Sequence, residues 1–188
     1  MTKYFQLWAS YEDDDYANFI LEKPLYEHFG SDILFFSGKS LRDVFPRTQI
    51  AVKQAKSPPD FYLLGSIFFV SERLRYFLEK HKINAEYIEL SVTVDQGTSA
   101  PKYYFMNILD VLDCFDREKS VFEEFSAEAG GGILTVKELH LKESIISGKK
   151  LFLMNEPSLI LVREDFAESL LQQNFIGIGL KSLPKGPF

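Results

Sequence analysis

A strict alternation of apolar and polar side chains runs from residue 86 to residue 95 and predicts a β-strand with one buried face. Ile88, Leu90, Val92 and Val94 share one side of this strand. A turn-forming segment follows at residues 96–101, and residues 103–109 are rich in aromatic and branched side chains. These features predict a hairpin, and therefore a fold that contains an antiparallel sheet.

Other apolar segments of strand length are spread along the whole chain. They lie at residues 4–9, 18–21, 33–36, 62–70, 133–139, 151–154 and 159–162. Residues 176–180 also read as a strand, in which Gly177 and Gly179 predict a bulge or a close backbone approach. Most of the chain is therefore predicted to be β-structure.

Two segments have helical periodicity. In residues 71–82, Ser71 is a suitable N-cap, and an apolar stripe at helical spacing consists of Leu74, Phe77, Leu78 and His81. In residues 164–173, the corresponding stripe consists of Phe166, Ala167, Leu170 and Leu171. Residues 118–129 fit a helix and a strand equally well.

These elements predict an α+β fold, a mostly antiparallel sheet with two amphipathic helices packed on it. We expect a single domain over residues 1–188, with a less clearly patterned, β-rich part at residues 1–58. A shift of 92 positions places Val70 on Val162 and Leu78 on Leu170, which suggests two related strand–helix–strand halves. Chance and shared amphipathicity explain this match equally well. The predicted core includes Leu74, Leu78, Ile88, Leu90, Val92, Ile108, Leu161, Phe166 and Leu170.

Charge and composition exclude several classes of protein. The 21 basic and 27 acidic side chains give a net charge of −6, which is the wrong sign for a chain that wraps nucleic acid. No apolar run approaches the roughly 20 residues of a membrane-spanning helix, so no membrane partner is expected. The absence of a signal-like N-terminus and the single cysteine, Cys114, predict a cytoplasmic protein.

The residues that usually carry chemistry do not form a recognisable catalytic or ligand-binding pattern. Cys114 lies between Asp113 and Asp116, whose charges disfavour a thiolate. The histidines, His28, His81 and His140, are far apart, and no zinc motif is present. We therefore predict no enzyme activity, no catalytic residue, no cofactor and no metal site.

Two other patterns suggest ligands only weakly. Asp110, Asp113 and Asp116 recur every third residue, which is not the spacing of a calcium loop. Glycines 130–132 match neither a phosphate-binding loop nor a dinucleotide motif, and they are read as a turn. Solvated carboxylates and a flexible turn are the simpler interpretations.

One acidic run suggests a macromolecular partner. The four consecutive carboxylates Glu12, Asp13, Asp14 and Asp15 repel one another unless they are solvated or face positive charge. They are either a solvated loop or a partner-binding edge for a basic protein, and we take them as the predicted partner-binding residues.

The order of motifs from residue 59 to about residue 182 resembles a bacterial immunity-protein family of polymorphic toxin systems, formerly a domain of unknown function. The resemblance is carried by Pro59-Asp60-Phe61, Phe69-Val70-Ser71-Glu72-Arg73-Leu74, Asn107 within residues 104–109, Asp116-Arg117-Glu118-Lys119-Ser120 and Gly177-Ile178-Gly179-Leu180. It implies a small cytoplasmic protein that binds a cognate toxin and neutralises it as a stoichiometric inhibitor. It assigns no catalytic residue, because the matched positions look like core and turns.

Two further classes of function stay open. The aromatic residues could line a small-molecule pocket, in which case the protein is a ligand-binding or sensory module without catalysis. A hydrolase or transferase of an unrecognised type is the third class. A deep pocket with convergent polar groups would favour these readings, whereas a flat or grooved charged surface would favour an inhibitor. The sequence does not predict an oligomeric state.

Overall fold

The structure, a computed structural model, describes residues 3–10, 18–21, 36–45, 49–53, 59–64, 67–94, 101–126, 128 and 131–185. Thirteen strands occur in this part of the chain: β1 (Tyr4–Ala9), β2 (Asn18–Leu21), β3 (Gln49–Lys53), β4 (Phe61–Leu64), β5 (Ile67–Ser71), β6 (Ala85–Val94), β7 (Tyr103–Ile108), β8 (Val111–Leu112), β9 (Val121–Glu124), β10 (Ile133–Glu138), β11 (Leu151–Met154), β12 (Leu159–Arg163) and β13 (Ile178–Ser182). The helices of this part are α1 (Glu72–Lys80), α2 (Glu143–Ile146) and α3 (Glu164–Leu171).

The strands form three open sheets. A six-stranded sheet has the order β2-β3-β6-β7-β5-β4, a five-stranded sheet has the order β13-β1-β12-β11-β8, and β9 pairs with β10. All pairs are antiparallel except β3 with β6 and β11 with β8. The predicted α+β class with a mostly antiparallel sheet is therefore confirmed.

Both larger sheets are covered on two faces. The central core contains residues of both sheets and of the two longer helices, including Val70, Leu74, Val162 and Phe166. An outer core packs on the opposite face of each sheet. Strands buried on both faces need apolar side chains at every position, which explains the uninterrupted runs in β5 and β11.

The two helices predicted from periodicity are present. Ser71 caps α1 by accepting a hydrogen bond from the backbone N–H of Leu74 at 3.1 Å. Across the central core, the ring of Phe77 in α1 stacks on that of Phe166 in α3 with centroids 5.8 Å apart. α2, with four residues, is an addition that periodicity over so short a segment could not predict.

Several predicted elements differ from the structure. The expected strand at 62–70 is two antiparallel strands, β4 and β5. Residues 118–129, which fit a helix and a strand equally well, contain strand β9. β3 and β8 were not predicted, and β13 lies two residues beyond the expected segment. Residues 33–35 of one predicted strand lie outside the described residues.

Most of the predicted core is buried. Leu74, Leu78, Leu90, Ile108, Leu161, Phe166 and Leu170 are all buried, whereas Ile88 and Val92 are only half-buried. β6 also differs from the expected strand with one buried face, since Tyr87 on its other side packs against the central core.

The two larger sheets contain the same four-strand unit. Its strand order is β6-β7-β5-β4 in one sheet and β13-β1-β12-β11 in the other, and every pairing is antiparallel. In each unit, a hairpin leads directly into a helix. The related halves suggested by the 92-residue offset therefore contain four strands and a helix, rather than two strands and a helix. In the second unit, the N-terminal strand β1 takes the place that β7 has in the first.

Polar contacts repeat between these units as well. Each pair of contacts joins matching positions near the start of the helix. The N–H of Ser71 donates to the carbonyl oxygen of Asp60, as that of Arg163 does to Lys150, both at 2.8 Å. The N–H of Glu72 donates to the carbonyl oxygen of Lys102 (3.2 Å), as that of Glu164 does to Lys3 (2.9 Å). The hydroxyl of Tyr103 donates to the carbonyl oxygen of Pro59 (2.7 Å), as that of Tyr4 does to Lys149 (3.1 Å). Agreement at this level favours two related units over chance amphipathicity.

Within the described residues, no helix has the length and apolar character that crossing a membrane requires.

Candidate interaction surface

Three of the motifs that carry the family resemblance meet around Asp60. This buried carboxylate accepts hydrogen bonds from Ser71 Oγ (2.6 Å), from Arg73 Nη2 (2.6 Å) and from the backbone N–H of Ile176 (2.9 Å). Gly177 follows with a φ of +87°, and a Cβ there would lie 2.3 Å from the carbonyl oxygen of Phe61. The motif residues thus join β4, α1 and the segment before β13, which is a structural role.

A second buried carboxylate, Glu86, fixes the segment at residues 39–41 on the six-stranded sheet. Its oxygens accept hydrogen bonds from Ser40 Oγ, from the backbone N–H of Leu41 at 2.8 Å and from Asn107 Nδ2 at 2.9 Å. Burial favours a raised pKa for Glu86, but these hydrogen bonds and the charge of Arg42 together lower its pKa overall. Asn107 therefore has a positioning role within the fold.

Cys114 is fully buried in the outer core of the five-stranded sheet. Burial is the main cause that raises the pKa of its thiol to about 11, and the charge of Asp113 adds to this effect. A thiol with this pKa is protonated at neutral pH and cannot act as a ready nucleophile.

The histidines that the structure describes occupy separate places. His81 ends α1 with its ring 5.1 Å from that of Phe166, and its pKa is lowered by burial and by the charges of Lys150 and Lys80. His140 Nε2 contacts Glu138 Oε1 at 2.8 Å. His28 lies outside the described residues.

The three regularly spaced aspartates do not converge on a common point. Asp110 pairs with Lys149 at 2.8 Å, Asp113 is exposed beside Lys142, and Asp116 pairs with Lys119 at 3.0 Å. The Lys119 contacts hold the pKa of Asp116 below its usual value. No group of three or more potential metal ligands occurs in the described part of the chain.

A cleft of about 300 Å³ lies beside Tyr4 and is lined by both polar and apolar side chains. Its polar lining residues include Lys3, His140, Glu143 and Lys185. The Tyr4 hydroxyl donates to backbone carbonyl oxygens and its pKa is raised, mainly by burial, while Lys3 pairs with Glu164. Tyr4, Lys3 and His140 are thus each engaged within the protein, and none of these contacts pairs a nucleophile with a base.

The β9–β10 hairpin exposes three apolar side chains. Val121, Phe125 and Leu134 are 49%, 46% and 52% exposed, and we call these three residues the hairpin patch. An ion pair of 2.5 Å between Glu123 and Lys137 lies on the same hairpin. The opposite side of the hairpin packs through Phe122, Ile133 and Val136 on the outer core of the five-stranded sheet.

The predicted partner-binding residues Glu12, Asp13, Asp14 and Asp15 lie outside the described residues. The hairpin patch was not predicted from the sequence, although Val121, Phe125 and Leu134 are apolar residues in it. Alternation identifies a strand with two different faces, but it does not tell which face an outer core covers.

Comparison with protein families gives one match. Residues 17–184 match the model of an immunity protein family, Imm11. This range extends the resemblance seen from residue 59 onward into the N-terminal part, so that it covers most of the chain. No curated protein matches the sequence.

Proposed function

The chain belongs to the Imm11 immunity protein family, and from this membership we propose that it binds a cognate bacterial toxin and neutralises it as a stoichiometric protein inhibitor. The family match over residues 17–184 is the observation that carries this proposal. A complex of this kind needs an interface of roughly 1,600 Å² in total, with a few aromatic or arginine anchors.

The proposal includes the absence of catalysis by this protein. It is supported by the buried Cys114, by the separation of the described histidines and by the structural roles of Asp60 and Glu86. An inhibitor acts by covering its target, so it needs a complementary surface rather than a reactive group.

We also propose that the acidic run at Glu12, Asp13, Asp14 and Asp15 contributes to toxin recognition. Its support is the sequence alone, where four adjacent carboxylates favour a basic partner. Cytoplasmic residence is part of the same proposal, because the protein must meet a toxin that acts inside the cell.

Protection in living cells tests the proposal. The family implies a cognate toxin encoded in a neighbouring reading frame. This toxin is induced with and without this protein, and growth is followed together with co-purification of the two chains. We expect growth and a stable complex. Cell death despite the accumulation of folded protein would contradict the proposal.

Two variants test whether protection depends on catalysis. Cys114→Ser and His140→Ala remove one cysteine and one histidine, the residue types that most often serve as nucleophile and as general base. We expect both variants to protect cells, provided that circular dichroism shows a native fold. Loss of protection by a folded variant would indicate an active site.

The alternative, a small-molecule-binding or sensory module, would use the cleft beside Tyr4. Lys3→Ala and Lys185→Ala change its polar lining at partly exposed positions. If the inhibitor proposal is correct, neither substitution alters protection. A loss of protection that a small metabolite restores would favour the sensory alternative instead.

A further inference from the structure

The hairpin patch differs from the other exposed apolar residues because its members belong to one hairpin. Eight large apolar side chains are exposed among the described residues, and three of them belong to the β9–β10 hairpin. The other five are spread singly over β1, residues 36–45, α1, α2 and α3: Trp8, Val44, Tyr76, Ile145 and Leu171. Single exposed apolar residues are common, whereas clusters mark contact surfaces.

Packing within the protein does not require an apolar outward face on this hairpin. Phe122, Ile133 and Val136 already attach the hairpin to the outer core. Val121 lies two residues before Glu123 and Phe125 two residues after it, and Glu123 pairs in register with Thr135, the neighbour of Leu134. Val121, Phe125 and Leu134 belong to none of the three cores, so their apolar side chains are available to a partner.

The charges around the patch indicate the chemistry of a partner. Residues 116–138 carry six carboxylates and three basic side chains, a net charge of −3 and half of the −6 of the whole chain. Glu118 and Glu128 are exposed, and neither forms an ion pair within the described part of the chain. Carboxylates that are not neutralised internally attract a basic surface.

We propose that the hairpin patch is a toxin-contacting surface, and that it takes a toxin face with an apolar centre and a basic rim. This inference rests on the proposed function and deepens it by naming the surface and the chemistry of the partner. A second copy of this chain is a poorer occupant, because the two copies of residues 116–138, each with a net charge of −3, would repel each other. An apolar centre with a polar rim is the usual anatomy of a specific interface.

The first test compares two double variants with matched exposure. Phe125→Thr with Leu134→Thr removes apolar surface from the patch and keeps residues that favour strands. Tyr76→Gln with Leu171→Gln is the control, because both residues are 55% exposed but lie on helices α1 and α3. Thermal melting verifies that both variants fold, and calorimetry measures their affinity for the purified neighbouring toxin.

We expect the hairpin variant to bind at least about 30-fold more weakly than the unmodified protein, the loss typical of interface anchors. We expect the control to stay within about threefold. If the unmodified protein binds the toxin and the folded hairpin variant binds equally well, this inference is wrong and the inhibitor proposal stands. If the unmodified protein does not bind, the inhibitor proposal itself fails.

The second test concerns the basic rim. Glu118→Gln with Glu128→Gln removes two charges without breaking an internal ion pair in the described residues. Glu89→Gln with Glu168→Gln removes two exposed charges from β6 and α3 as the control. We expect only the first pair to slow association at low salt, with the difference disappearing at high salt. Equal association rates for the two double variants would contradict a basic rim on the partner. Dimerisation of the free protein through the hairpin patch would contradict the toxin as the occupant of this patch.

Discussion

Replacing Gly177 by alanine tests the junction around Asp60, where three of the resemblance motifs meet. Gly177 has a φ of +87°, and the added Cβ would lie 2.3 Å from the carbonyl oxygen of Phe61 and 3.3 Å from the Cβ of Pro59. The first contact is with backbone, so a rotamer change cannot relieve it. Backbone of β4 or of the segment before β13 must therefore move by roughly 1 Å to reach ordinary contact.

The expected cost has three parts. The left-handed backbone costs about 1–2 kcal/mol with a side chain present, and overpacking adds about 1–3 kcal/mol. A shift of the junction also weakens its hydrogen bonds, which include Ser10 N to Gly177 O at 3.0 Å and Ile176 N to Asp60 Oδ2 at 2.9 Å. We expect Gly177→Ala to lower the free energy of unfolding by about 3–5 kcal/mol.

Gly148→Ala is the matched control. Gly148 has a φ of +77°, and no atom lies within 4 Å of its hypothetical Cβ. An alanine there has the cost of the left-handed backbone but no steric clash, so we expect a loss of only about 1–2 kcal/mol. Urea unfolding of both variants measures the difference between them. Equal losses would refute the argument that the Gly177 backbone is held against Phe61.

Three further predictions concern the core, the buried carboxylate Glu86 and the acidic run. Leu78→Ala and Leu170→Ala should each lower the free energy of unfolding by about 2–5 kcal/mol in urea titrations, since both side chains are buried in the central core; losses below about 1 kcal/mol would argue against that packing. Because the folded-state pKa of Glu86 is lowered, its stabilising effect is present above its ordinary pKa and is lost as the pH falls through the lowered value. The stability gap between the unmodified protein and Glu86→Gln should therefore narrow from about pH 7 to about pH 3, and a constant gap would contradict this linkage. Replacing Glu12, Asp13, Asp14 and Asp15 with Gln or Asn should slow toxin association at low salt while leaving stability nearly unchanged; an unchanged rate at every salt concentration would remove these residues from the interface.

Local patterns predicted those parts of the fold that depend on neighbouring residues. Helices α1 and α3 follow from apolar spacing, and the Ser71 cap is a contact between residues three positions apart. The hairpin between β4 and β5 was missed because the run at 62–70 is almost wholly apolar, as suits a strand with two buried faces. Gly65-Ser66 within that run was a usable turn signal.

Long-range pairing was beyond prediction from local patterns. β1 lies between β12 and β13, more than 150 positions away in the sequence, and apolar spacing does not specify a distant partner. The sequence indicated the burial of Glu86 only in part. Glu86 shares its strand face with Ile88 and Leu90, which points to burial, but the donors of its hydrogen bonds come from other segments of the chain. The hairpin patch also depends on the outer core covering one particular face of β9 and β10.

The stoichiometry of neutralisation tests the central claim most directly. A fixed concentration of the purified neighbouring toxin is titrated with this protein, and the residual toxin activity is recorded after short and long incubation. A stoichiometric inhibitor gives a linear loss of activity that ends at about one molecule per toxin and does not change with incubation time. Complete neutralisation at a small fraction of that ratio, increasing with time, would show that this protein acts by turnover and would contradict the account.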